Sequence, residues 1–194
     1  VQEIIESAVK EACVGLDNVD EQLLATEIKD ATYEGISEKD LAESMLMTAR
    51  TLVEKEPNYS YVTARLLLNN MENEVGAFLG VKERKDRGKM YVEALAKTID
   101  KGIELDFLNE ELKSYDLNKL GKAILQERDF QFTYLGLQTL YDRYFITCDE
   151  IRYELPQVFF MRVAMGLALN EENRDERAIE FYKLLSSFDY MSST

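Results

Sequence analysis

Apolar positions recur along this chain at intervals of three and four residues, the spacing that collects side chains on one face of a helix. Ile4, Ile5, Ala8, Val9 and Ala12 set the pattern over residues 1–14, and Gly15 follows as a stop. A second helix is predicted over Glu21–Ala31. Ser37-Glu38-Lys39-Asp40 is the clearest start: the Ser37 hydroxyl can accept from free backbone N–H groups, and the acidic residues suit the positive helix end. Leu41, Met45, Ala49, Leu52 and Val53 then make one stripe. Pro57 is predicted to open the next helix, where its missing N–H costs nothing, and Ala64, Leu67, Leu68, Met71 and Val75 continue the repeat. These two helices are expected to pack as a hairpin.

Weaker helical patterns cover Met90–Asp100, Asn109–Tyr115, Leu117–Glu127 and Thr133–Arg143. The period then changes. Tyr144-Phe145-Ile146-Thr147 and Ile151-Arg152-Tyr153-Glu154 alternate around Cys148-Asp149-Glu150, which predicts a short β-hairpin that must lean on helices. From Pro156 onward Val158, Phe159, Phe160, Met161, Val163, Ala164, Met165, Leu167, Ala168 and Leu169 leave almost no polar face, so this helix is expected to be central and buried on most sides. Arg162 is its one charge and requires a carboxylate or carbonyl partner. Asn173 and Glu176 read as a capping box for a last helix striped by Ala178, Phe181, Tyr182, Leu185 and Phe188. With two prolines and nine glycines among 194 residues, few positions force the backbone out of a helix, and the fold class is all-α with one hairpin near 144–154.

Composition narrows the chemistry. Thirty-seven acidic against 23 basic residues give a net charge of −14, which repels phosphate backbones and argues against direct nucleic-acid binding. Only Lys82-Glu83-Arg84-Lys85-Asp86-Arg87-Gly88-Lys89 is locally basic; it reads as a solvated loop, or as a receiver for a phosphate or an acidic partner. No apolar run approaches the roughly 20 residues of a membrane span, and nothing in the opening residues resembles a signal peptide. Two distant cysteines, Cys13 and Cys148, fit a reducing compartment, so a cytoplasmic location is expected. Val1 opens directly in helical pattern, as in a segment excised from a longer chain.

There is no histidine, which removes Ser-His-Asp and Cys-His nucleophiles and the Glu-x-x-His ligand pairs of di-iron bundles. Neither a GxGxxG nor a GxxxxGK[ST] loop occurs. Glu110-Glu111 and Glu171-Glu172 are paired carboxylates, but helical neighbours diverge, so they are read as solvated faces. Cys13 reads as a core residue, and Cys148, at the hairpin tip, as an exposed, oxidisable thiol with only Arg143 and Arg152 near it in sequence to lower its pKa. The seven methionines sit on apolar stripes as gap fillers, or line a groove.

The block Glu154-Leu155-Pro156-Gln157-Val158-Phe159-Phe160-Met161-Arg162-Val163-Ala164-Met165-Gly166-Leu167-Ala168-Leu169-Asn170-Glu171 resembles the LPQ-x-x-x-MRVAMGLAL block of ribonucleotide reductase large subunits. Asp142-Arg143-Tyr144-Phe145-Ile146 precedes it and Arg177-Ala178-Ile179-Glu180-Phe181-Tyr182 follows it in the family's order. Upstream, Pro57-Asn58-Tyr59-Ser60-Tyr61-Val62-Thr63-Ala64-Arg65-Leu66-Leu67-Leu68 is similar to the family's P-x-Y-x-Y-x-A-A-R-L segment, with Thr63 replacing one alanine.

The resemblance implies that residues 59–194 form the family's helical N-terminal domain, ahead of the catalytic barrel, and that residues 1–58 correspond to the last helices of an ATP-cone. Ala42 stands where nucleotide-binding cones have a histidine and Asn73 where they have a lysine. Losing both costs about 1.5–3 kcal/mol per charge-assisted contact, which implies a degenerate cone. Thr194 matches a threonine that touches the substrate diphosphate in relatives. No catalytic, cofactor or metal residue is expected in the segment itself, which is expected to be catalytically silent. The parent is expected to be a ribonucleoside-diphosphate reductase with ATP and dNTP effectors, a second large subunit, a metal-containing small subunit that supplies a radical, and a thioredoxin- or glutaredoxin-type reductant. The alternative is a helical protein-interaction module unrelated to catalysis.

Overall fold

The computed structural model describes residues 1–82 and 85–190. Its helices are α1 (Gln2–Cys13), α2 (Glu21–Asp30), α3 (Glu38–Thr51), α4 (Tyr59–Leu79), α5 (Arg87–Glu104), α6 (Leu117–Lys122), α7 (Tyr134–Arg143), α8 (Pro156–Leu167) and α9 (Arg174–Ser186). Two strands, β1 (Thr147–Cys148) and β2 (Ile151–Arg152), form an antiparallel ladder between α7 and α8. Short 3-10 turns occupy Leu52–Glu54, Glu110–Ser114 and Gln126–Gln131. The chain divides into two units: Val1–Asn70 with Phe130–Leu140, and Met71–Asp129 with Tyr141–Thr194.

In the first unit, α2 starts on Asp20, whose carboxylate accepts from the Leu23 N–H at 2.9 Å, and α3 starts on Ser37, whose hydroxyl accepts from the Asp40 N–H at 3.1 Å. Gly15 follows α1 with φ +70°, a conformation that glycine adopts without strain. Ile5, Val9, Leu24, Ile28, Leu41, Met45, Ala49, Leu52, Tyr59, Val62 and Leu66 share one core, each large side chain contributing about 1.5–3 kcal/mol of transfer free energy. Ile4 lies outside it, 52% exposed, so the apolar stripe of α1 is narrower than its spacing suggests.

One expectation changes here. Pro57 sits in a turn, and α4 begins at Tyr59, with the Ser60 N–H reaching back to the Pro57 carbonyl at 2.9 Å. The backbone of α3 packs on α2, and Leu41, Met45, Ala49 and Leu52 share one core with Tyr59, Val62 and Leu66 from the first turns of α4. The Tyr59 hydroxyl accepts from the Asp20 N–H at 2.9 Å, and Asn58 Nδ2 donates to the Asp17 carbonyl at 2.8 Å, which ties the start of α4 to the α1–α2 loop. Arg65 Nη1 donates to the Ala12 and Val14 carbonyls at 3.0 and 2.7 Å, placing a cation at the negative end of α1.

In the second unit α8 packs against α9 and α5, and α5 against α6. Gly121 of α6 meets α5 so closely that an added Cβ would lie 2.8 Å from the Val92 Cα. The patterns at Asn109–Tyr115 and Leu117–Glu127 resolve into shorter pieces, a 3-10 turn at Glu110–Ser114 and a six-residue α6, because side-chain oxygens of Asn109 and Asp116 cap new starts there. Asp149 and Glu150 alone form the hairpin turn, with φ of +48° and +67°, so Cys148 is a half-buried strand residue paired with Ile151 and not a tip. The last helix starts after Asn173, but without the expected capping box: the Asn173 side chain makes no cap bond, and Glu176 pairs with Lys119 instead.

Candidate functional site

The richest polar chemistry lies around α8 in the second unit. Pro156 supplies the first residue of α8, where it gives up no hydrogen bond, with Leu155 at the cap position and Glu154 ahead of it. Glu154 is fully buried, and both its oxygens are taken: Oε1 accepts from Arg162 Nε, and Oε2 accepts from Arg162 Nη2 at 3.1 Å and from the Ile146 N–H at 2.8 Å. Arg162 thus has the carboxylate that its place in an apolar helix demands, and its guanidinium also covers the Phe159 ring at 5.4 Å. The pair welds the strand side of the hairpin to the middle of α8.

A second buried carboxylate, Asp129, ends the second unit's first stretch of chain. Its Oδ2 accepts from Arg87 Nη2 at 2.8 Å and from the Tyr91 hydroxyl, and its Oδ1 accepts from Gln157 Nε2 at 3.0 Å. Gln157 Oε1 in turn accepts from the Tyr182 hydroxyl at 2.8 Å, which accepts from the Leu125 N–H at 2.9 Å. Arg87 Nη1 reaches Glu72 at 2.5 Å. Burial pushes the Asp129 carboxyl above its ordinary range while Arg87 pulls the other way. Burial and the Asp129 charge hold the Tyr91 phenol well above its ordinary value, and burial takes the Tyr182 phenol to about 12. Asp129, Gln157 and Tyr182 thus bond to one another and to the α5 donors, which makes them connectors between elements of the unit.

The basic run is only partly described, since residues 83 and 84 lie outside the described residues. Of the rest, Asp86 caps α5 by accepting from the Lys89 N–H at 3.1 Å, and Arg87 is committed to Glu72 and Asp129. An open cleft of about 620 Å³ lies beside it, lined in part by Lys89, Glu93, Asn118, Lys122 and Glu127. Glu110, Glu111, Glu171 and Glu172 are exposed as expected. Cys13 is buried, and burial raises its thiol to about 11, the setting of an inert core thiol. Ala42 is half-buried on α3, and Asn73 is exposed on α4. Thr194, the expected substrate contact, lies outside the described residues. Among the described residues no three His, Cys, Asp or Glu side chains are arranged to hold a metal, and no helix is long and apolar enough to cross a membrane.

Sequence pattern alone does not reveal Asp129, Tyr91 or Arg87. Asp129 sits in Glu127-Arg128-Asp129, which looks solvated, and Arg87 sits in the basic run; only the tertiary fold turns them inward. On the other side of α8, Phe159 and Val163 are half-buried, and Gly166 and Leu167 are exposed, Leu167 at 55%. Spaced by four, three and one residues, they mark one apolar face of the helix that its own unit does not fully cover.

Residues 130–194 match the family model described as the ribonucleotide reductase all-alpha domain. The chain is 41% identical over 185 residues to the ribonucleoside-diphosphate reductase subunit alpha of Chlamydia trachomatis, an alignment covering 94% of the chain and 17% of that protein. It is 34% identical over 192 residues to the subunit alpha of Helicobacter pylori, covering 98% of the chain and 23% of that protein. With the ribonucleoside-diphosphate reductase large subunit of Monkeypox virus it shares 29% identity, over 98% of the chain and 24% of that protein. The chain thus spans about a fifth of the length of the relatives it matches. The two arms of the resemblance, a mostly helical body and the block built on Glu154, Gln157 and Arg162, meet in one place: this chain belongs to the ribonucleotide reductase large-subunit family, with its all-α domain in residues 130–194.

Proposed function

We propose that the protein containing this segment reduces ribonucleoside diphosphates to deoxyribonucleotides, and that the segment serves that reaction as scaffold and not as catalyst. The observation that carries the reading is the match of 94–98% of the chain to reductase large subunits. The partly covered apolar face of α8 supports the scaffold role: half-buried Phe159 and Val163 and exposed Leu167 offer a hydrophobic wall, held in one rotation by the Glu154–Arg162 pair, for the family's catalytic barrel. Residues 1–58 act as the end of an ATP-cone, degenerate because Ala42 within it, and Asn73 on the helix that follows, offer neither ring nor cation to a triphosphate. The partners are a second large subunit, a radical-supplying small subunit and a thioredoxin- or glutaredoxin-type reductant, in the cytoplasm; Thr194 contacts the substrate diphosphate.

The test is an assay of the full-length protein with a matched small subunit, a dithiol reductant and a ribonucleoside diphosphate. Formation of the deoxynucleotide is expected, with none from the 194-residue segment; turnover by the segment alone, or none by the full-length protein, overturns the reading. Calorimetry of the segment with ATP and dATP separates the cone from the rest, since measurable binding heat would show a working nucleotide site.

A further inference from the structure

The main chain passes between the two units three times, after Asn70, after Asp129 and after Leu140. On the side of the second unit each passage is followed or preceded, within a few residues, by a side chain fixed to the body of that unit. Glu72 and Glu74 come just after the first passage, Asp129 is the last residue before the second, and Tyr141 is the first after the third. Arg87 joins the first two, with Nη1 on Glu72 at 2.5 Å and Nη2 on Asp129 at 2.8 Å. The Tyr141 hydroxyl joins the third to the first by donating to Glu74 Oε2 at 2.9 Å, and Arg152 Nε of β2 donates to the Tyr141 carbonyl at 3.0 Å.

Asp129 divides its two oxygens between two helices. Oδ2 takes the α5 donors, Arg87 and Tyr91, and Oδ1 takes Gln157 in the first turn of α8. The backbone here is the 3-10 turn Gln126–Gln131, a connector whose internal hydrogen bonds are poorer than those of an α-helix. Apolar contacts at such a place would let the chain slide, whereas charge-assisted bonds fix both distance and direction.

We infer that the Glu72–Arg87–Asp129–Gln157 chain is a built-in coupling clamp, in which Asp129 is a positioning residue that transmits displacement of the chain at Phe130 directly to the start of α8. The backbone route from Asp129 to Gln157 runs through 27 intervening residues by count from position 129 to 157; the side-chain route is a single hydrogen bond. The inference does not depend on the reductase reading, since it concerns only how the second unit holds its chain passages.

Hydrogen exchange followed by mass spectrometry on the full-length protein tests it, with Asp129→Asn as the principal variant. This substitution keeps the shape but removes the charge that binds Arg87. Exchange is expected to speed up on the order of tenfold or more at 71–76 and 156–160, the two ends of the clamp, with α6 at 117–122 and α1 unchanged. Unchanged exchange at both ends, or an equal rise in α6, overturns the clamp, the latter because a residue that only stabilises the unit would loosen all of it. If Asp129→Asn does not fold, Tyr91→Phe removes one donor and leaves the ion pair; it should give the same local pattern at smaller amplitude, and a uniform or absent response would overturn the proposal equally.

Discussion

Tyr153 and Glu154 are adjacent, fully buried and opposite in how their polar atoms are served. Glu154 accepts three hydrogen bonds, two from Arg162 and one from the Ile146 N–H. The Tyr153 ring stacks on Phe78 with centroids 5.3 Å apart, while its hydroxyl finds no hydrogen-bond partner among the described residues. Removing one member of a saturated buried pair strands the other, so Glu154→Gln should cost about 3–5 kcal/mol in urea unfolding. A double variant, Glu154→Gln with Arg162→Met, should recover part of that loss; a single variant within about 0.5 kcal/mol of the parent would mean the pair is not desolvated. Tyr153→Phe, by contrast, deletes a group that is already unmatched and should be neutral or stabilising by up to about 1 kcal/mol. A large loss would reveal an acceptor that the fold hides.

At the scale of elements, the hairpin is a case where pattern is legible and detail is not. The alternation at 144–147 and 151–154 locates it, and the resemblance to the family's block locates α8, but the spacing centres the turn on Cys148-Asp149-Glu150 because nothing in the residue types marks where φ becomes positive. Asp149 and Glu150 both adopt φ above zero, the geometry of a type I′ turn, which an Asn-Gly pair fills with less strain. The paired substitutions Asp149→Asn and Glu150→Gly should therefore stabilise the fold by about 1 kcal/mol, read as a higher urea midpoint; a lower midpoint would mean that Glu150 makes a contact worth more than its strain. The same division holds elsewhere. Helices with a broad stripe, such as α3, are legible together with their caps, whereas 109–127 breaks into pieces because Asn109 and Asp116 offer the backbone local partners that periodicity does not register.

Across the whole molecule, a chain without histidine has few groups that change charge near neutrality, and its pH response moves to the alkaline side. Burial raises the phenols of Tyr141, Tyr153 and Tyr182 to about 12, Tyr91 well above its ordinary value, and the Cys13 thiol to about 11. The folded state therefore holds these protons when the unfolded chain has begun to lose them, from about 9 for the thiol and 10 for the phenols. By linkage, stability is intact below those values and falls as pH rises toward 11 and 12. Phenolate absorbance and loss of helical circular dichroism should rise together in an alkaline titration; phenolate forming fully before any helix is lost would contradict the buried phenols. The polar network behind this response is the least legible part of the sequence, because Asp129 and Arg87 look like any solvated charge until the fold encloses them.

The three passages of the chain also limit how the molecule can be cut. The first unit owns Phe130–Leu140 as well as its opening 70 residues, and that return strip brings Leu137, Tyr134 bonded to Ser60 at 3.2 Å, and Phe130 beneath the Arg65 guanidinium at 5.2 Å. A gene truncated at position 70 would express a body missing one of its own walls, and a gene starting at 71 would carry that wall with nothing to lean on. An exchange of the first unit in this chain has to move both pieces at once.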